Sequence, residues 1–473
     1  MRFGSAVIPV SELKRWYQQG FVVPLVESIP LSADSWTIAK RVLGKRNVFF
    51  LDSVRYQKKT ARYSYLGWNP FRVVRFKQVK DPIGTLRSLF RLYRGRRWSV
   101  LPFFTGGAVG YFSYELAHNL ERLPDLAQDD LRLDQMALLF VRTLAVFDEK
   151  KKRCFLAVNL IPAHDGSFRE AFQKASQAIE QSRKELFKPP AHPNGFVRVH
   201  DFESDQSKAD FKRMVRRAKR YIEAGDIYQA NLSQRFSFRF EGNAEGLYES
   251  LRRINPSPFS SFIKIGPLTV ASCSPERLIR KVGDRCETRP IAGTKPRGVT
   301  PAQDERFRHD LVKSAKERAE HLMLVDLERN DLGRVARAKS VRVNEFMTLE
   351  RYSHVVHIVS NVVAKLKKGY DQFDLFRAVF PGGTITGCPK IRSMEIIEEL
   401  EPFKRHLYTG SIGYLDFNGD MDLNIVIRSL ILCGHKGYLQ VGAGIVHDSD
   451  PESEYWETLH KGKALIDALY QHV

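Results

Sequence analysis

Hairpin signals restrict the fold of this chain more than any other feature of its sequence. Gly283-Asp284 and Asn418-Gly419 each stand between two segments rich in Val, Ile, Leu and Phe. Such dipeptides favour the tight turns that join antiparallel neighbours. Further strands are predicted over residues 47–53, 106–113 and 154–160, and helical patterns separate many of these segments. The sequence therefore predicts an α+β fold with predominantly antiparallel sheet.

A proline-rich stretch offers the best boundary between two regions. Residues 188–195 read K-P-P-A-H-P-N-G, and their three prolines discourage regular structure. They separate a first region, residues 1–180, from a second region, residues 196–473. The chain has 473 residues, of which 43% are hydrophobic, so it can bury a large core as one domain or as two to three.

The formal net charge of +21 raises the alternative of a nucleic-acid partner, because basic side chains that neutralise phosphates supply most non-specific binding energy. The basic residues are spread thinly, however, with short clusters at 94–97 and 150–153. No nucleic-acid motif accompanies these clusters. We therefore expect a solvated basic surface and no nucleic acid.

The sequence indicates neither a membrane protein nor a secreted one. It has no run of eighteen apolar residues, and its first residues lack the apolar segment of a secretory signal. The five cysteines show no C-x-x-C spacing, so neither a disulfide framework nor a zinc site is expected. We expect a cytoplasmic protein that does not contact a membrane.

A polar stripe near the C-terminus is the first candidate site. A helix is predicted from residue 451 onward, and it places Glu454, Glu457 and Lys461 on one face. The two carboxylates can hold a hard divalent cation, while the lysine meets an anionic substrate that the cation also touches. The alternative is an ordinary exposed ion pair between Glu457 and Lys461, which stand in the favourable i, i+4 order.

Two other segments place polar groups within reach of a ligand. A strand predicted over 439–446 contains Gly442 and Gly444, which leave backbone N–H groups open to a ligand carboxylate. A long helix predicted over 304–331 can point Glu320 inward beside its apolar residues.

Six strings of the second region, in order along the chain, resemble the chorismate-utilising enzymes. They are S-P-E-R-L, R-P-I-A-G-T-K-P-R-G, A-E-H-L-M-L-V-D-L-E-R-N-D-L-G-R, F-P-G-G-T-I-T-G-C-P-K, Y-T-G-S-I-G-Y and G-A-G-I-V-H-D-S-D-P-E-S-E-Y. The first region matches more loosely, through P-L-V-E-S, Y-S-Y-L-G-W-N-P and G-G-A-V-G-Y-F-S-Y-E-L. The resemblance implies a two-layer antiparallel β-sandwich flanked by helices. Residues 1–180 would be its N-terminal region and residues 196–473 its chorismate-binding catalytic region, with one shared core; two independent domains are the alternative.

The resemblance implies a magnesium-assisted reaction on chorismate, a dianion with an enolpyruvyl ether at C3 and a hydroxyl at C4. Glu320 and Glu457 match the family's metal ligands, and Glu454 would contribute directly or through water. Mg²⁺ keeps several waters and needs only a few carboxylates. The metal would in turn bind the ring carboxylate of the substrate.

Glu276 in S-P-E-R-L matches the family's general acid, which protonates the departing C4 hydroxyl. A carboxyl group does this near neutrality only if burial or a neighbouring negative charge raises its pKa. Arg277 would oppose that rise, but adjacent side chains of a strand face opposite ways. His357 matches a histidine near the C4 oxygen that orients the acid. A structural salt bridge for Glu276 and a satisfied core histidine are the alternatives.

The remaining matches concern substrate binding. Arg428 matches the arginine that binds a substrate carboxylate, a task suited to a guanidinium that donates two parallel hydrogen bonds. Tyr408 and Lys461 match its helpers. Backbone N–H groups would complete the contacts to the carboxylate and the ring, from Gly293, Thr294, Gly442, Ala443 and Gly444.

Gln229 narrows the chemistry further. Family members that add water, the isochorismate and salicylate synthases, carry a lysine base at this place, whereas glutamine cannot remove a proton from water. The nucleophile should therefore be ammonia, which leaves aminodeoxychorismate synthase and anthranilate synthase. The strings favour the first, although that branch often carries a lysine nucleophile where this chain has Ala292, which can form no adduct. Because no glutaminase motif is present, ammonia would come from solution or from a separate glutamine amidotransferase subunit.

The string P-L-V-E-S resembles the segment that lines a tryptophan pocket in both aminating enzymes. Glu27 and Ser28 are its polar side chains and would line that pocket. The alternative is a loop that enters a strand.

Overall fold

The computed structural model describes residues 7–54, 62–188, 197–296, 300–351 and 355–470. The helices in these ranges are α1 (Val10–Gln18), α2 (Ser35–Ala39), α3 (Pro82–Arg91), α4 (Ala117–Leu120), α5 (Pro162–Asp165), α6 (Phe168–Leu186), α7 (Lys208–Glu223), α8 (Ala244–Ile254), α9 (Pro301–Lys313), α10 (Ala315–Gly333), α11 (Gln372–Val379), α12 (Lys390–Leu400) and α13 (Pro451–Tyr470), with short 3₁₀ helices at Tyr114–Leu116 and Gly383–Ile385. The strands are β1 (Val23–Pro30), β2 (Asn47–Asp52), β3 (Tyr63–Trp68), β4 (Arg72–Phe76), β5 (Gly107–Phe112), β6 (Met136–Phe140), β7 (Thr143–Asp148), β8 (Arg153–Leu160), β9 (Val197–Ser204), β10 (Gln229–Gly242), β11 (Phe259–Ile265), β12 (Leu268–Ser274), β13 (Arg277–Val282), β14 (Arg285–Thr288), β15 (Ile291–Pro296), β16 (Arg342–Arg351), β17 (Val355–Lys365), β18 (Gly387–Cys388), β19 (Ser411–Asp416), β20 (Met421–Asn424), β21 (Ser429–Cys433) and β22 (Lys436–Ile445).

Within the described residues, twelve strands form a larger sheet and ten form a smaller one. The larger sheet has the order β1, β8, β7, β3, β2, β11, β12, β21, β22, β10, β18, with β9 also paired to β10. The smaller sheet has the order β15, β17, β14, β13, β20, β19, β5, β6, β4, with β16 also paired to β17. Their ladders are antiparallel, as the hairpin signals predict.

Both sheets combine strands from the first and the second region. In the larger sheet Leu51 of β2 pairs with Ser261 of β11, and in the smaller sheet Gly110 of β5 pairs with Gly413 of β19. Each sheet is therefore continuous across the two halves of the chain. The proposed boundary at residues 188–195 lies outside the described residues except for its first position.

The two sheets pack face to face between layers of helices. One buried cluster joins side chains of both sheets, such as Val146 and Val270 of the larger sheet with Val109 and Leu139 of the smaller one. A second cluster lies between the smaller sheet and α3, α10 and α11, and a third between the larger sheet and α2, α8 and α13. This layering confirms the predicted two-layer antiparallel β-sandwich flanked by helices.

The chain passes from one sheet to the other at two adjacent places. β12 of the larger sheet continues into β13 of the smaller one, and β20 of the smaller sheet continues into β21 of the larger one. The two crossovers are joined, because the Ser274 hydroxyl donates to the carbonyl of Ile425 at 2.6 Å and the Ile425 N–H donates to the carbonyl of Glu276 at 3.1 Å. We call residues 274–277 and 424–429 the crossover corner.

Turn and helix signals were correct with one exception. Gly283 and Gly419 have φ of 65° and 88° in the two predicted hairpins, a region that favours glycine. The single helix predicted over 304–331 is wrong, because α9 and α10 are separated at Ser314. The Ser314 side chain accepts the N–H of Glu317 at 3.3 Å and so begins a new helix.

The C-terminal helix begins where it was predicted. The Asp450 side chain accepts the N–H of Ser453 at 2.8 Å and caps α13, which packs against β22 and α7. No helix in the described part of the chain combines the length and the apolar composition that a membrane span requires.

Candidate active site

Glu276 lies in the crossover corner and is only 5% exposed. The Ser274 hydroxyl accepts its backbone N–H at 3.3 Å, so the backbone position is fixed by both crossovers. Arg277 turns the other way and donates to Asp422 at 2.9 Å and 3.1 Å. The adjacent arginine is thus held by carboxylates on the opposite side, as strand alternation predicts.

Burial raises the pKa of Glu276 to about 7. Three groups act in the opposite direction and favour the charged form: the hydroxyl of Thr384, the backbone N–H of Ile291 and the guanidinium of Arg428. Desolvation outweighs them because the carboxyl group has almost no contact with solvent. Glu276 can therefore hold or release a proton near neutral pH, which is what a general acid requires.

Arg428 approaches the same corner from the second crossover. Its φ is 52°, the left-handed region that non-glycine residues adopt rarely, and its carbonyl accepts the N–H of Cys273 at 3.0 Å. The positive charge of its guanidinium lowers the pKa of both Glu276 and His357. Because strained backbone conformations cluster at functional sites, this geometry supports a role for Arg428 in binding.

His357 is a buried, neutral histidine on β17. Burial lowers the pKa of His357 to about 3, the charge of Arg428 acts in the same direction, and the backbone of Gly293 opposes both. At neutral pH the ring can therefore donate or accept a hydrogen bond but carries no charge. The positive charge of Arg428 thus influences both His357, the histidine predicted to orient the acid, and Glu276 itself.

Strand β15 brings the predicted pair Gly293 and Thr294 to this histidine. Thr294 pairs with His357, and the register shifts between Ala292 and Thr294. Gly293 has a φ of 66°, and a Cβ atom there would lie 2.8 Å from Oε2 of Glu317. The positive φ therefore favours glycine at this position. Nothing is described for the side chain of Thr294.

A second group of polar atoms lies on one face of β10 and β22. A Cβ atom on Gly442 would lie 2.6 Å from the Tyr408 hydroxyl and 2.8 Å from Oδ1 of Asn231. A Cβ atom on Gly444 would lie 2.3 Å from Nε2 of Gln229. The two glycines therefore leave room for these polar side chains, and burial raises the pKa of Tyr408 so that its hydroxyl keeps its proton.

The two groups meet at an open edge of β22. β21 pairs with β22 only as far as Leu430 with Leu439, whereas β22 continues to Ile445 with β10 on its other side. Arg428 stands two residues before Leu430, so the part of β22 that contains Gly442 begins beside it. Ser233 and Asn231 of β10 direct their backbone groups away from β22, so the groups on the open edge are those of Gly442 and Gly444, whereas Ala443 pairs with Leu232.

A turn also links the two groups. The 3₁₀ helix Gly383–Ile385 places Thr384 at Glu276, and β18 follows at once and pairs Cys388 with Gln229. The N–H of Asn231 donates to the carbonyl of Thr386 at 2.9 Å in the same turn. One short segment thus fixes the distance between the acid and the amide side chains.

The polar stripe of α13 divides between two environments. Glu454 is 8% exposed on the buried side of the helix, whereas Glu457 is exposed and its Oε1 lies 2.8 Å from Nζ of Lys461. Lys461 also donates to the carbonyl of Gly442 at 3.3 Å. The structure therefore places Lys461 at the binding strand, and it shows the ion pair that was the alternative for these two residues.

The three predicted metal ligands are carboxylates on two helices, Glu320 on α10 and Glu454 and Glu457 on α13. Carboxylate oxygens are the ligands Mg²⁺ prefers, and Glu320 is half-buried on α10. Among the residues that the structure describes, no group of three or more His, Cys, Asp and Glu side chains is close enough to hold a metal ion. The magnesium site formed by Glu320, Glu454 and Glu457 stays a prediction, and no reaction step is assigned to it.

The residues predicted for a tryptophan pocket make ion pairs and hydrogen bonds on β1. Arg183 pairs with Glu27, and Arg153 donates to the hydroxyl of Ser28 at 2.7 Å and 3.0 Å. A cavity of about 500 Å³ lies at another place, with Tyr65, Phe104, Tyr414 and the crossover residue Asn424 among its walls. Tryptophan binding stays a prediction.

The family model for chorismate binding enzymes matches residues 51–467. The chain belongs to this family. It is 40% identical over 465 residues to aminodeoxychorismate synthase component 1 of Bacillus subtilis (strain 168), which covers 94% of this chain and 97% of that relative. It is 42% identical over 400 residues to anthranilate synthase component 1 of Aquifex aeolicus (strain VF5), which covers 84% of this chain and 81% of that relative. The crystal structure of anthranilate synthase component I from Streptococcus pneumoniae TIGR4 matches with a TM-score of 0.76 and 32% identity, over 92% of this chain and 98% of that one.

Membership of the chorismate binding enzymes makes the crossover corner the candidate chorismate site. Sequence reasoning missed two polar side chains near this site. They are Thr384, which lowers the pKa of Glu276, and Glu328 on α10, whose own pKa is raised by Glu276. Both lie inside strings that carried the resemblance, F-P-G-G-T-I-T-G and V-D-L-E-R-N-D. The strings were the available signal, but they do not tell which of their side chains face the corner.

Proposed function

We propose that this chorismate-utilising enzyme aminates chorismate to 4-amino-4-deoxychorismate with ammonia. One observation carries the proposal: a buried acid with a pKa near neutrality, Glu276, stands in a site that has Gln229 where a base would be needed to activate water. The acid serves to expel the C4 hydroxyl, and glutamine cannot deprotonate a water molecule. Ammonia needs no such base.

The free acceptors in the site support a nucleophile that carries N–H donors. Oε1 of Gln229 and Oδ1 of Asn231 are buried and have no hydrogen-bond partner within the described residues. At the face that Gly442 and Gly444 leave open, Oδ1 of Asn231 lies beside Gly442 and Nε2 of Gln229 lies beside Gly444. Buried acceptors without donors are costly, so a molecule that donates to Oδ1 of Asn231 is favoured there.

The proposed reaction divides between these groups. Arg428 binds a substrate carboxylate, and the protonated hydroxyl of Tyr408 donates beside it. Ammonia forms the new C–N bond as the C4–O bond breaks, and Glu276 gives its proton to the leaving oxygen, which departs as water. The new ammonium group then returns one proton to Glu276. His357, being neutral, orients the acid without competing for its proton.

Anthranilate formation is the second candidate, and Ala292 favours it. This side chain is 8% exposed on β15 and offers no atom that could attack C2 and direct ammonia to C4. Amination at C2 followed by loss of pyruvate would then give anthranilate. The relative from Aquifex aeolicus carries the name anthranilate synthase component 1 at 42% identity, which fits this alternative as well.

Two further parts belong to the proposal. Ammonia is supplied by a separate glutamine amidotransferase subunit, because the chain carries no glutaminase motif of its own. Glu320, Glu454 and Glu457 would hold Mg²⁺, which when bound would offset the negative charge of the substrate carboxylate.

Product analysis tests the proposal directly. Purified protein is incubated with chorismate, magnesium and ammonium salts, and the products are separated by chromatography with mass detection. Accumulation of 4-amino-4-deoxychorismate is expected, whereas anthranilate together with pyruvate would establish the second candidate. The Glu276→Gln variant serves as the control for uncatalysed loss of chorismate.

A further inference from the structure

Arg405 is a buried guanidinium to which the proposed reaction gives no part. It lies between α12 and β19 and is only 2% exposed. Its Nε donates to Oε2 of Glu401 at 2.9 Å and its Nη2 donates to Oε1 at 2.7 Å, the parallel geometry that a guanidinium offers to a carboxylate. This pair compensates the buried charge and leaves the other N–H groups of Arg405 for other partners.

The remaining donors of Arg405 reach two separate backbone segments. Nη1 donates to the carbonyl of Ile385 at 2.9 Å, and Nη2 donates to the carbonyl of Asn231 at 2.5 Å. Nη1 also makes a longer contact of 3.5 Å with the hydroxyl of Thr409. A guanidinium has five N–H donors, so each of them has an acceptor here. An ammonium, with three donors on one nitrogen, could not replace this pattern.

The two carbonyls need a side-chain donor because a short ladder ends beside them. β18 pairs with β10 only at Gln229 with Cys388 and at Ala230 with Gly387. The chain then turns into the 3₁₀ helix Gly383–Ile385, away from the regular ladder. Buried carbonyl groups without donors are costly, and the guanidinium continues the hydrogen bonding where the ladder stops.

These two segments carry the acid side and the nucleophile side of the candidate active site. Ile385 directly follows Thr384, the residue of the turn that interacts with Glu276. Asn231 carries the buried, unpartnered Oδ1 beside Gly442, where the proposed function places ammonia. One guanidinium therefore joins the backbone of both sides.

The segment that contains Arg405 is itself fixed to the crossover corner. The N–H of Tyr408 donates to the carbonyl of Arg405 at 3.0 Å, and the N–H of Thr409 donates to the carbonyl of Val426 at 2.7 Å. Thr409 has a φ of 61°, a region that residues other than glycine adopt rarely. The guanidinium also lies over the ring of Tyr408, 5.8 Å from its centroid.

We propose that Arg405 is a positioning residue that fixes the separation between the general acid and the nucleophile side of the active site. This rests on the proposed function in so far as Glu276 supplies the proton and Asn231 receives ammonia. Arg405 does not touch the substrate, so its effect is on alignment. Alignment matters because a misplacement of about 1 Å can cost roughly 100-fold in rate.

The Arg405→Lys variant tests the proposal through a split between kinetic constants. With the acid and the nucleophile side no longer joined, kcat should fall and KM for ammonia should rise, each by roughly tenfold or more. The dissociation constant of chorismate, measured by calorimetry, should change by less than about threefold. The reason is that the N–H of Cys273, and not Arg405, holds the backbone of Arg428.

Arg235→Lys is the matched control. Arg235 also lies on β10, is 5% exposed and forms ion pairs with Asp130 and Asp205, none of which is a predicted site residue. Both variants lose a buried guanidinium that is paired with carboxylate, so both should lower the melting temperature. The kinetic constants of Arg235→Lys should stay within about twofold of the wild type.

Hydrogen exchange measured by mass spectrometry provides a readout that needs no catalysis. Peptides that cover residues 229–232 and 383–388 should exchange roughly tenfold faster in Arg405→Lys, because the contact between the two segments is weakened. Arg235→Lys should leave both peptides unchanged. Glu401→Gln keeps the guanidinium but removes one of its carboxylate contacts, so it should show the same changes at smaller size; it replaces Arg405→Lys if that variant does not fold.

The outcomes separate this proposal from the proposed function. Unchanged exchange in either peptide, or kinetic constants equal to those of Arg235→Lys, would overturn the positioning role of Arg405. If the wild type consumed no chorismate with ammonia, the proposed function would fall. Hydrogen exchange would then still decide whether Arg405 holds the two segments together.

Discussion

Replacing Glu276 by glutamine should remove activity and raise stability in the same protein. Glutamine keeps the size of the side chain and an acceptor oxygen, but it cannot donate the proton that expels the C4 hydroxyl. A positioned general acid contributes roughly 10²–10⁴-fold to a rate, and a loss of that order is expected in kcat. The gain in stability has a separate cause, the burial of the carboxyl group.

The size of the gain follows from the raised pKa. A pKa raised from 4.5 to about 7 corresponds to roughly 3 kcal/mol. Because the folded value is the higher one, the stabilising contribution of the protonated group is present below pH 4.5 and is lost as pH rises through about 7. The Glu276→Gln variant lacks this loss, so it should equal the wild type near pH 5 and exceed it above pH 8.

Urea unfolding at pH 5, 7 and 8.5 measures this difference in the free energy of unfolding. Glu398→Gln is a comparison variant for which a change in stability of the opposite sign is expected. Burial alone would raise the pKa of Glu398, but His118 and the N–H groups of Ala127 and Leu126 outweigh it and lower that pKa. Its contribution is present above the unfolded pKa and lost as pH falls, so the glutamine variant should be less stable than wild type at neutral pH. A Glu276→Gln variant whose stability tracked the wild type at every pH would refute the buried, protonated acid.

Two other predictions concern chorismate binding and the predicted magnesium site. Gly442→Ala should raise KM for chorismate at least tenfold and also lower the melting temperature, because the new Cβ would lie 2.6 Å from the Tyr408 hydroxyl and 2.8 Å from both Oδ1 of Asn231 and the backbone carbonyl of Leu232. Steady-state kinetics and thermal unfolding compare this variant with Gly333→Ala, where nothing lies within 4 Å. Glu320→Gln should weaken Mg²⁺ activation, so that the magnesium concentration for half-maximal rate rises at least tenfold; an unchanged activation curve would remove Glu320 from the ligand set.

The sequence predicted the functional residues of the crossover corner, but it did not predict the strand pairings that bring them together. Turn dipeptides identify which consecutive strands pair, so the hairpins at Gly283 and Gly419 were correct. They carry no information about strands that pair over long distances, such as β2 with β11 or β5 with β19. The two crossovers that place Glu276 beside Arg428 depend on those long-range pairings.

Helical periodicity likewise predicted that the polar residues of α13 share one face, but it did not predict which of them are buried. Residues three apart on a helix are separated by about 60° around its axis, so Glu454 and Glu457 can fall on either side of the boundary between buried and exposed faces. Glu454 is buried and Glu457 is exposed. The missed break at Ser314 has a local explanation, since the string S-A-K-E from Ser314 to Glu317 is a helix start signal inside an otherwise continuous pattern.

The proton on Glu276 also serves substrate binding, because the acid and the binding arginine share one environment. The charge of Arg428 lowers the pKa of Glu276, so an ionised Glu276 would compete with the substrate carboxylate for the same guanidinium. KM for chorismate should therefore rise between pH 6 and pH 9, by roughly tenfold or about 1.4 kcal/mol, in addition to any fall in kcat. In the Glu276→Gln variant the dissociation constant of chorismate, measured by calorimetry, should stay constant over that range. A dissociation constant that rose with pH in this variant would show that another group controls the charge available to the substrate.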